Sequence, residues 1–269
     1  MEILARVGAE LLEVPRFADP TWITMLMVLG IAAWLVGLGG TKNPKGMLRT
    51  IRHAEAEKAR REAWKRAAEQ LGMNYADGAV RGRIGECEVA VSVRTKEIGA
   101  SAYEFTCVEL EDRSGRIPVN LHLGKESSGR PMRDVYTRDD SFDASVYVQG
   151  DQATVLALLD RSTRALVRRE VERGVDVRGE SITWETRGVE ASLPVAVIRG
   201  MVELAEALRV SGGEVAARLA KNVLEETDVE VQLRQLAALQ AQFGDSPEAL
   251  ETSRRLLQSR DSSLRLEAA

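Results

Sequence analysis

The segment RDVYTRDDSFD places four carboxylates, Asp134, Asp139, Asp140 and Asp143, within ten residues. Carboxylates clustered in this way can ligate Ca2+ or Mg2+, or work as a general acid and base. The D-x-D-x-D-G spacing of a calcium loop is missing, and Arg133 and Arg138 bring counter-charge into the same stretch. The segment reads first as a solvated loop that turns the chain into a strand. Its second reading is a ligand loop.

Other reactive residues are sparse. Two cysteines, Cys87 and Cys107, and two histidines, His53 and His122, show no C-x-x-C or H-x-x-x-H spacing. A zinc site would need distant residues to converge, so no metal and no cofactor is expected. The glycines at 78, 82 and 85 in DGAVRGRIGE match no phosphate-binding spacing and suit hairpin turns. His122 falls on the outer face of an expected strand with no nucleophile beside it, and the chain is expected not to be an enzyme. Tyr147 and Phe105 also face away from the expected core, where they could line a binding patch or lie under a helix.

The elements that must hold these residues follow from periodicity. Met47–Leu71 reads as a helix with a strip of Trp64, Ala68 and Leu71, stopped by Gly72. CEVAVSVR and EFTCVELE alternate as strands. Aligning their apolar faces sets Val91 opposite Val108, Cys87 opposite Asp112 and Cys107 opposite Ser92. The two thiols then lie on opposite faces, which argues against a disulfide. IPVNLHL is expected as the third strand, with Val119, Leu121 and Leu123 inward, and FDASVYV as a fourth. Gly150 and Asp151 then open one long helix, QATVLALLDRSTRALVRREVERG, and VDVRGESITWETRG forms a hairpin around Gly179.

From residue 191 to 269 only helices are expected. Ser246-Pro247-Glu248 supplies an N-cap, an N1 proline and a first-turn acid for one of them. The fold class is α+β: an antiparallel sheet domain with flanking helices over 73–190, followed by an all-α module over 191–269.

Ahead of this, residues 22–40 carry no charge and are long enough for a bilayer. Trp22 and Trp34 are its aromatic residues. Residues 1–21 would be a short outer tail and 41–72 a basic juxtamembrane segment and stalk, with Lys42, Lys45, Arg49 and Arg52 holding that flank in the cytosol. The expectation is a single-pass inner-membrane protein with the lipid bilayer as one partner. The net charge of −4 conceals a split: residues 1–41 sum to −2 and residues 42–66 to +6, leaving −8 on residues 67–269. An acidic soluble part argues against nucleic acid as a partner.

DVEVQLRQL, with Asp228, Val231 and Leu233, repeats after 33 residues as DSSLRLEAA, with Asp261, Leu264 and Leu266. This resembles HEAT repeats, which often open on Asp and continue into an Ala/Leu-rich helix. More loosely, the segment around FDASVYVQGD resembles bacterial membrane-anchored proteins that combine a transmembrane helix, such a sheet and HEAT-like helices. That resemblance implies an architecture and brings no active site. The function it implies is a scaffold that binds a protein partner through its C-terminal helices. The alternative is a sensory or ligand-binding module using the sheet's outer face and the acidic loop 133–143.

Overall fold

The structure is a computed structural model that describes Val28, residues 44–126 and residues 135–269, with side chains of the first helix described from Ala54 onward. Two compact units divide the chain, Met1–Glu55 and Ala56–Ala269. The second contains the whole sheet and every helix after the first.

Helix α1 runs Pro44–Gln70. It stops as expected at Gly72, whose φ of 68° is the left-handed conformation a helix C′ residue takes. Trp64 and Ala68 are buried against the sheet, and the Trp64 indole N–H donates to the Glu190 carbonyl at 3.2 Å.

The membrane expectation is corrected. Among the described residues no helix is long and apolar enough to cross a membrane. The longest described helix, α1, is dense in Lys, Arg and Glu along its length, and a charge in almost every turn is incompatible with a hydrocarbon core. Lys45, Arg49 and Arg52, expected as a basic flank, are residues of α1 itself. Trp22, Trp34, Lys42 and the run 22–40 lie outside the described residues, Val28 excepted. The single-pass fold and the inner-membrane address are therefore withdrawn.

What remains is an eight-stranded antiparallel sheet with helices. The strands are β1 (Asn74–Ala76), β2 (Ala79–Ile84), β3 (Cys87–Ile98), β4 (Ser101–Asp112), β5 (His122–Lys125), β6 (Val146–Gln149), β7 (Val175–Arg178) and β8 (Ser181–Arg187). Their spatial order is β1-β2-β3-β4-β8-β7-β5-β6. The β3–β4 register is the one that aligned apolar faces require: Val91 pairs with Val108, Cys87 with Asp112 and Ser92 with Cys107. Gly78 and Gly85 turn hairpins at positive φ. Gly82 does not turn at all. It lies mid-strand over Met73, where an added methyl would stand 2.7 Å from Met73 Cγ and 2.9 Å from its Cα.

The third strand differs from expectation. Pro118 has no N–H to donate to a ladder, and the chain turns there, with Leu121 N donating to the Pro118 carbonyl. Only His122–Lys125 is strand, Val119 is 84% exposed, and β8 occupies the place beside β4. FDASVYV is likewise only half strand. The Asp139 side chain caps a short helix α2 (Asp140–Asp143), so Phe142 enters the core from a helix and β6 begins at Val146.

The long helix expected after Asp151 is two. Helix α3 (Gln152–Leu158) ends at Leu159, and Asp160 caps α4 (Arg161–Glu172) by accepting from Thr163 N at 2.7 Å. An aspartate followed by Ser and Thr offers side-chain capping that competes with continuing the helix. Then come α5 (Val195–Ala207), a 3-10 turn (Gly212–Glu214), α6 (Val215–Glu225), α7 (Val229–Phe243), α8 (Pro247–Leu256) and α9 (Ser262–Glu267).

Helices α4 and α5 pack on the face bearing Val89, Val91, Leu110, Leu123, Val148 and Ile182, α4 against β5, β6 and β7 and α5 against β3, β4 and β8. Helices α6 and α7 dock through α3, and one hydrophobic cluster runs from Trp64 to Ala268. The opposite sheet face carries Glu88, Arg94, Lys96 and Glu109, with Phe105, Cys107 and Tyr147 buried among its polar residues.

Asp228 and Asp261 do both cap helices, each accepting from the two backbone N–H groups that follow its own +1 position. Val231 and Leu264 are buried in both copies, but Leu233 is half-buried and Leu266 is 80% exposed. The α7 helix packs on α3, α6, α8 and α9 rather than within a row of equivalent hairpins. HEAT repeats are not shown by this packing. The shared feature is an aspartate cap with an apolar residue three positions later, which helix starts in general favour.

One core residue is at odds with its surroundings. Gln235 on α7 is fully buried, and among the described residues neither its Nε2 nor its Oε1 has a hydrogen-bond partner. A buried unsatisfied amide costs about 1–3 kcal/mol. Gln235→Leu is therefore expected to raise Tm by several degrees, read by calorimetry; a fall in Tm contradicts the assignment.

Candidate functional site

The acidic segment folds into its own connections. Asp139 Oδ1 accepts from Phe142 N at 3.1 Å and from the Ser141 hydroxyl at 2.8 Å, while Oδ2 accepts from Arg164 Nε at 3.1 Å. Asp143 accepts from the Thr137 and Arg138 backbone N–H groups and the Thr137 hydroxyl, holding Arg138 at a φ of 72°. Asp140 is exposed in the first turn of α2, and Asp134 lies outside the described residues. These carboxylates cap and close a turn. Among the described residues no group of three or more His, Cys, Asp or Glu side chains is arranged to hold a metal ion.

Arg164 is the residue that gives Asp139 its role. It projects from α4 into the interior, where its side chain is 5% exposed. Nη1 donates to the Leu159 carbonyl at 3.0 Å and Nη2 to Glu226 Oε2 at 2.8 Å. Glu226, at the end of α6, uses Oε1 to accept from Thr227 N and Asp228 N, so it also organises the start of α7. One guanidinium thus ties α2, α3, α4 and the α6–α7 corner together. Burial pushes the Asp139 and Glu226 carboxyls up, but hydrogen bonds, with Arg164 among the donors, outweigh it and leave both below the usual carboxylate range.

A second cluster brings a thiol to a carboxylate and a guanidinium. Asp112 ends β4 fully buried. Its Oδ1 accepts from Arg209 Nε at 3.0 Å and Nη2 at 2.6 Å, and Oδ2 accepts from the Ser114 hydroxyl. Cys87 Sγ stands 3.8 Å from Asp112 Oδ1 and 3.4 Å from Arg209 Nη2. Such a trio suggests an activated nucleophile, but burial pushes the Cys87 thiol up to about 11. Cys107 on the other face is also pushed up, first by burial and then by Glu185. At neutral pH Cys87 is therefore held as the thiol. Neither thiol should react with Ellman's reagent in the native chain within minutes, and both should react once it is unfolded. Rapid labelling of one thiol in the native chain contradicts this.

The outer face of the sheet adds one histidine pair. His122 Nε2 stands 3.2 Å from Asp176 Oδ1, and the Tyr147 ring meets the imidazole edge-on at 5.2 Å. Arg178 Nε donates to Asp176 Oδ2 at 2.8 Å. Among the described residues no hydroxyl or thiol is hydrogen-bonded to the imidazole. Tyr147 and Phe105, the two aromatics expected to face outward, are 2% and 8% exposed. Phe105 lies beneath the Lys96 ammonium, 5.4 Å from its ring centre.

Large exposed apolar side chains stand at Ile98, Val119, Tyr136 and Leu224, and at three positions on the terminal helices. Leu250 on α8 is 57% exposed, Leu257 just after it 47%, and Leu266 on α9 80%. Leu250 and Leu257 are seven residues apart and share a helix face. Beneath them, Gln240 Nε2 on α7 donates to Ser253 Oγ at 3.3 Å and to the Glu267 carbonyl at 3.0 Å, fixing both segments to one support.

The residues that sequence reasoning missed are Arg164, Glu226, Arg209 and Asp176, together with the ion pair of Arg209 to Asp112. For Glu226 the local signal was its place just before Thr227-Asp228, where an extra acid can accept from the exposed N–H groups of a helix start. The others are defined by partners distant in sequence. No protein-family model matches the chain, and no curated protein matches it.

Proposed function

We propose that this chain is a protein-interaction module that binds a protein partner through the exposed side of α8 and α9. The observation that carries the reading is the trio Leu250, Leu257 and Leu266, apolar side chains left in water on the last two helices. Apolar side chains exposed on consecutive helices mark a candidate contact surface, and covering them would recover part of the roughly 1.5–3 kcal/mol that full burial of each is worth. The clustered titratable groups support the same reading from the other side, because their hydrogen bonds are spent on caps and ion pairs within the fold.

The test is chemical crosslinking of the full chain in its native cells, followed by identification of crosslinked proteins. Leu250→Lys, Leu257→Lys and Leu266→Lys combined are expected to abolish a specific crosslink while leaving Tm within a few degrees, since all three side chains are already exposed. Retention of the same partner by the triple variant refutes the proposal.

A further inference from the structure

A trough of about 710 Å3 crosses the polar face of the sheet, lined by Arg81, Arg83, Glu88, Ala90, Glu109 and Glu111 among others. Ala90 makes its floor. In register it sits between Arg81 on β2 and Glu109 on β4, so one short side chain separates two long charged ones. The next row pairs Arg83 with Glu88 and Glu88 with Glu111.

The two walls are not equivalent. The acids are partly compensated: Glu109 pairs with Arg94 at 2.6 Å, while Glu88 and Glu111 share Arg113, at 2.7 and 2.8 Å. On the β2 wall, Arg83 Nε donates only to the Gly85 carbonyl at 2.9 Å, and the Arg81 guanidinium has no hydrogen bond or ion pair among the described residues. Four guanidiniums, Arg81, Arg83, Arg94 and Arg113, thus face the three carboxylates, an excess of one positive charge, and the two without a side-chain ion pair among the described residues lie on the same face of one strand. Residues two apart on a strand are about 6.6–6.8 Å apart, the spacing at which an extended chain presents alternate side chains to one side. Guanidinium groups also match carboxylates geometrically.

We propose that this trough binds an extended acidic segment of a protein partner, with alternate carboxylates taken by Arg81 and Arg83 and the intervening backbone lying over Ala90. This surface is distinct from α8 and α9 and stands or falls separately from them.

The test is fluorescence anisotropy at low salt, because exposed ion pairs are screened at higher ionic strength. The probes are a labelled peptide of four Glu-Thr repeats, an isomer with its glutamates in blocks of two, and a peptide of four Lys-Thr repeats. The alternating acidic peptide is expected to bind saturably and more tightly than either control. Arg81→Gln with Arg83→Gln is expected to weaken it roughly tenfold, and Arg254→Gln with Arg255→Gln to leave it unchanged. Ala90→Gln, which fills the floor and keeps both arginines, should also weaken it. The proposal is overturned by an alternating peptide that binds no better than the lysine peptide. It is equally overturned by binding insensitive to the Arg81/Arg83 double variant, or by an oligothymidylate that binds more tightly with the same arginine dependence, which would assign the trough to nucleic acid.

Discussion

Arg164→Met is expected to destabilise the chain by about 3–5 kcal/mol, because it strands a buried carboxylate. That corresponds to a Tm loss on the order of 10 °C for a chain of this size. Glu226 is 2% exposed at its side chain and would keep only the Thr227 and Asp228 N–H groups as donors. The pH dependence separates this cause from a simple packing loss. In the native chain the Asp139 and Glu226 carboxyls lie below their unfolded range. Groups depressed in this way add stability above the unfolded carboxylate pKa, about 4, and lose it as pH falls through the folded values. Without Arg164, burial dominates at Glu226 and its pKa rises above the unfolded value. The sign then reverses, and protonation on going from pH 7 to about 5 should relieve part of the damage. The difference in Tm between native chain and variant is therefore expected to be smaller at pH 5 than at pH 7. An equal difference at both pH values would mean that the lost charge partner is not the cause. Arg164→Met with Glu226→Gln should recover stability, since no buried charge is then left alone at that corner.

Trp64→Ala is expected to cost about as much, roughly 3–5 kcal/mol, by a different route. The indole is 1% exposed and fills space between α1 and the sheet, and its N–H satisfies the Glu190 carbonyl. Removing it leaves a cavity and an unpaired acceptor. Trp64→Phe should recover more than half of the loss, because most of the ring volume returns while the hydrogen bond does not. Urea unfolding of the full chain reads both values. A cost under about 1 kcal/mol for Trp64→Ala would show that the second half of α1 adds little to the fold.

Much of the local structure was legible in residue patterns, and for physical reasons. Val89 and Val91 against Glu88 and Ala90 define a half-buried strand, and matching its apolar face to Val108 and Leu110 fixed the register to the residue. The caps at Asp151, Asp228, Ser246 and Asp261 are short-range hydrogen bonds between a side chain and the next few N–H groups, so nearby residues suffice to foresee them. What escaped depends on distance. Asp112 and Arg209 are 97 positions apart, and neither neighbourhood signals that the carboxylate will be buried. Strand order escaped for the same reason: β8 reaches β4 only after the intervening β5, β6 and β7 have been placed elsewhere in the sheet. The acidic loop was ambiguous because clustered aspartates are common both to ligand sites and to turn caps. Only the partners, Arg164 and the Thr137 and Arg138 N–H groups, distinguish the two. The break at Leu159 was hidden by a leucine-rich run whose apolar stripe continues across it, although the Asp-Arg-Ser-Thr that follows contains the cap.

The titratable clusters serve the fold, and the proposed contact surface is the outer side of α8 and α9. Hydrogen–deuterium exchange of the full chain, alone and bound to its crosslinked partner, tests this most directly. Slowed exchange confined to residues 247–269 on binding is expected; an unchanged rate there, with new protection at residues 135–143 or around His122, would place the contact elsewhere.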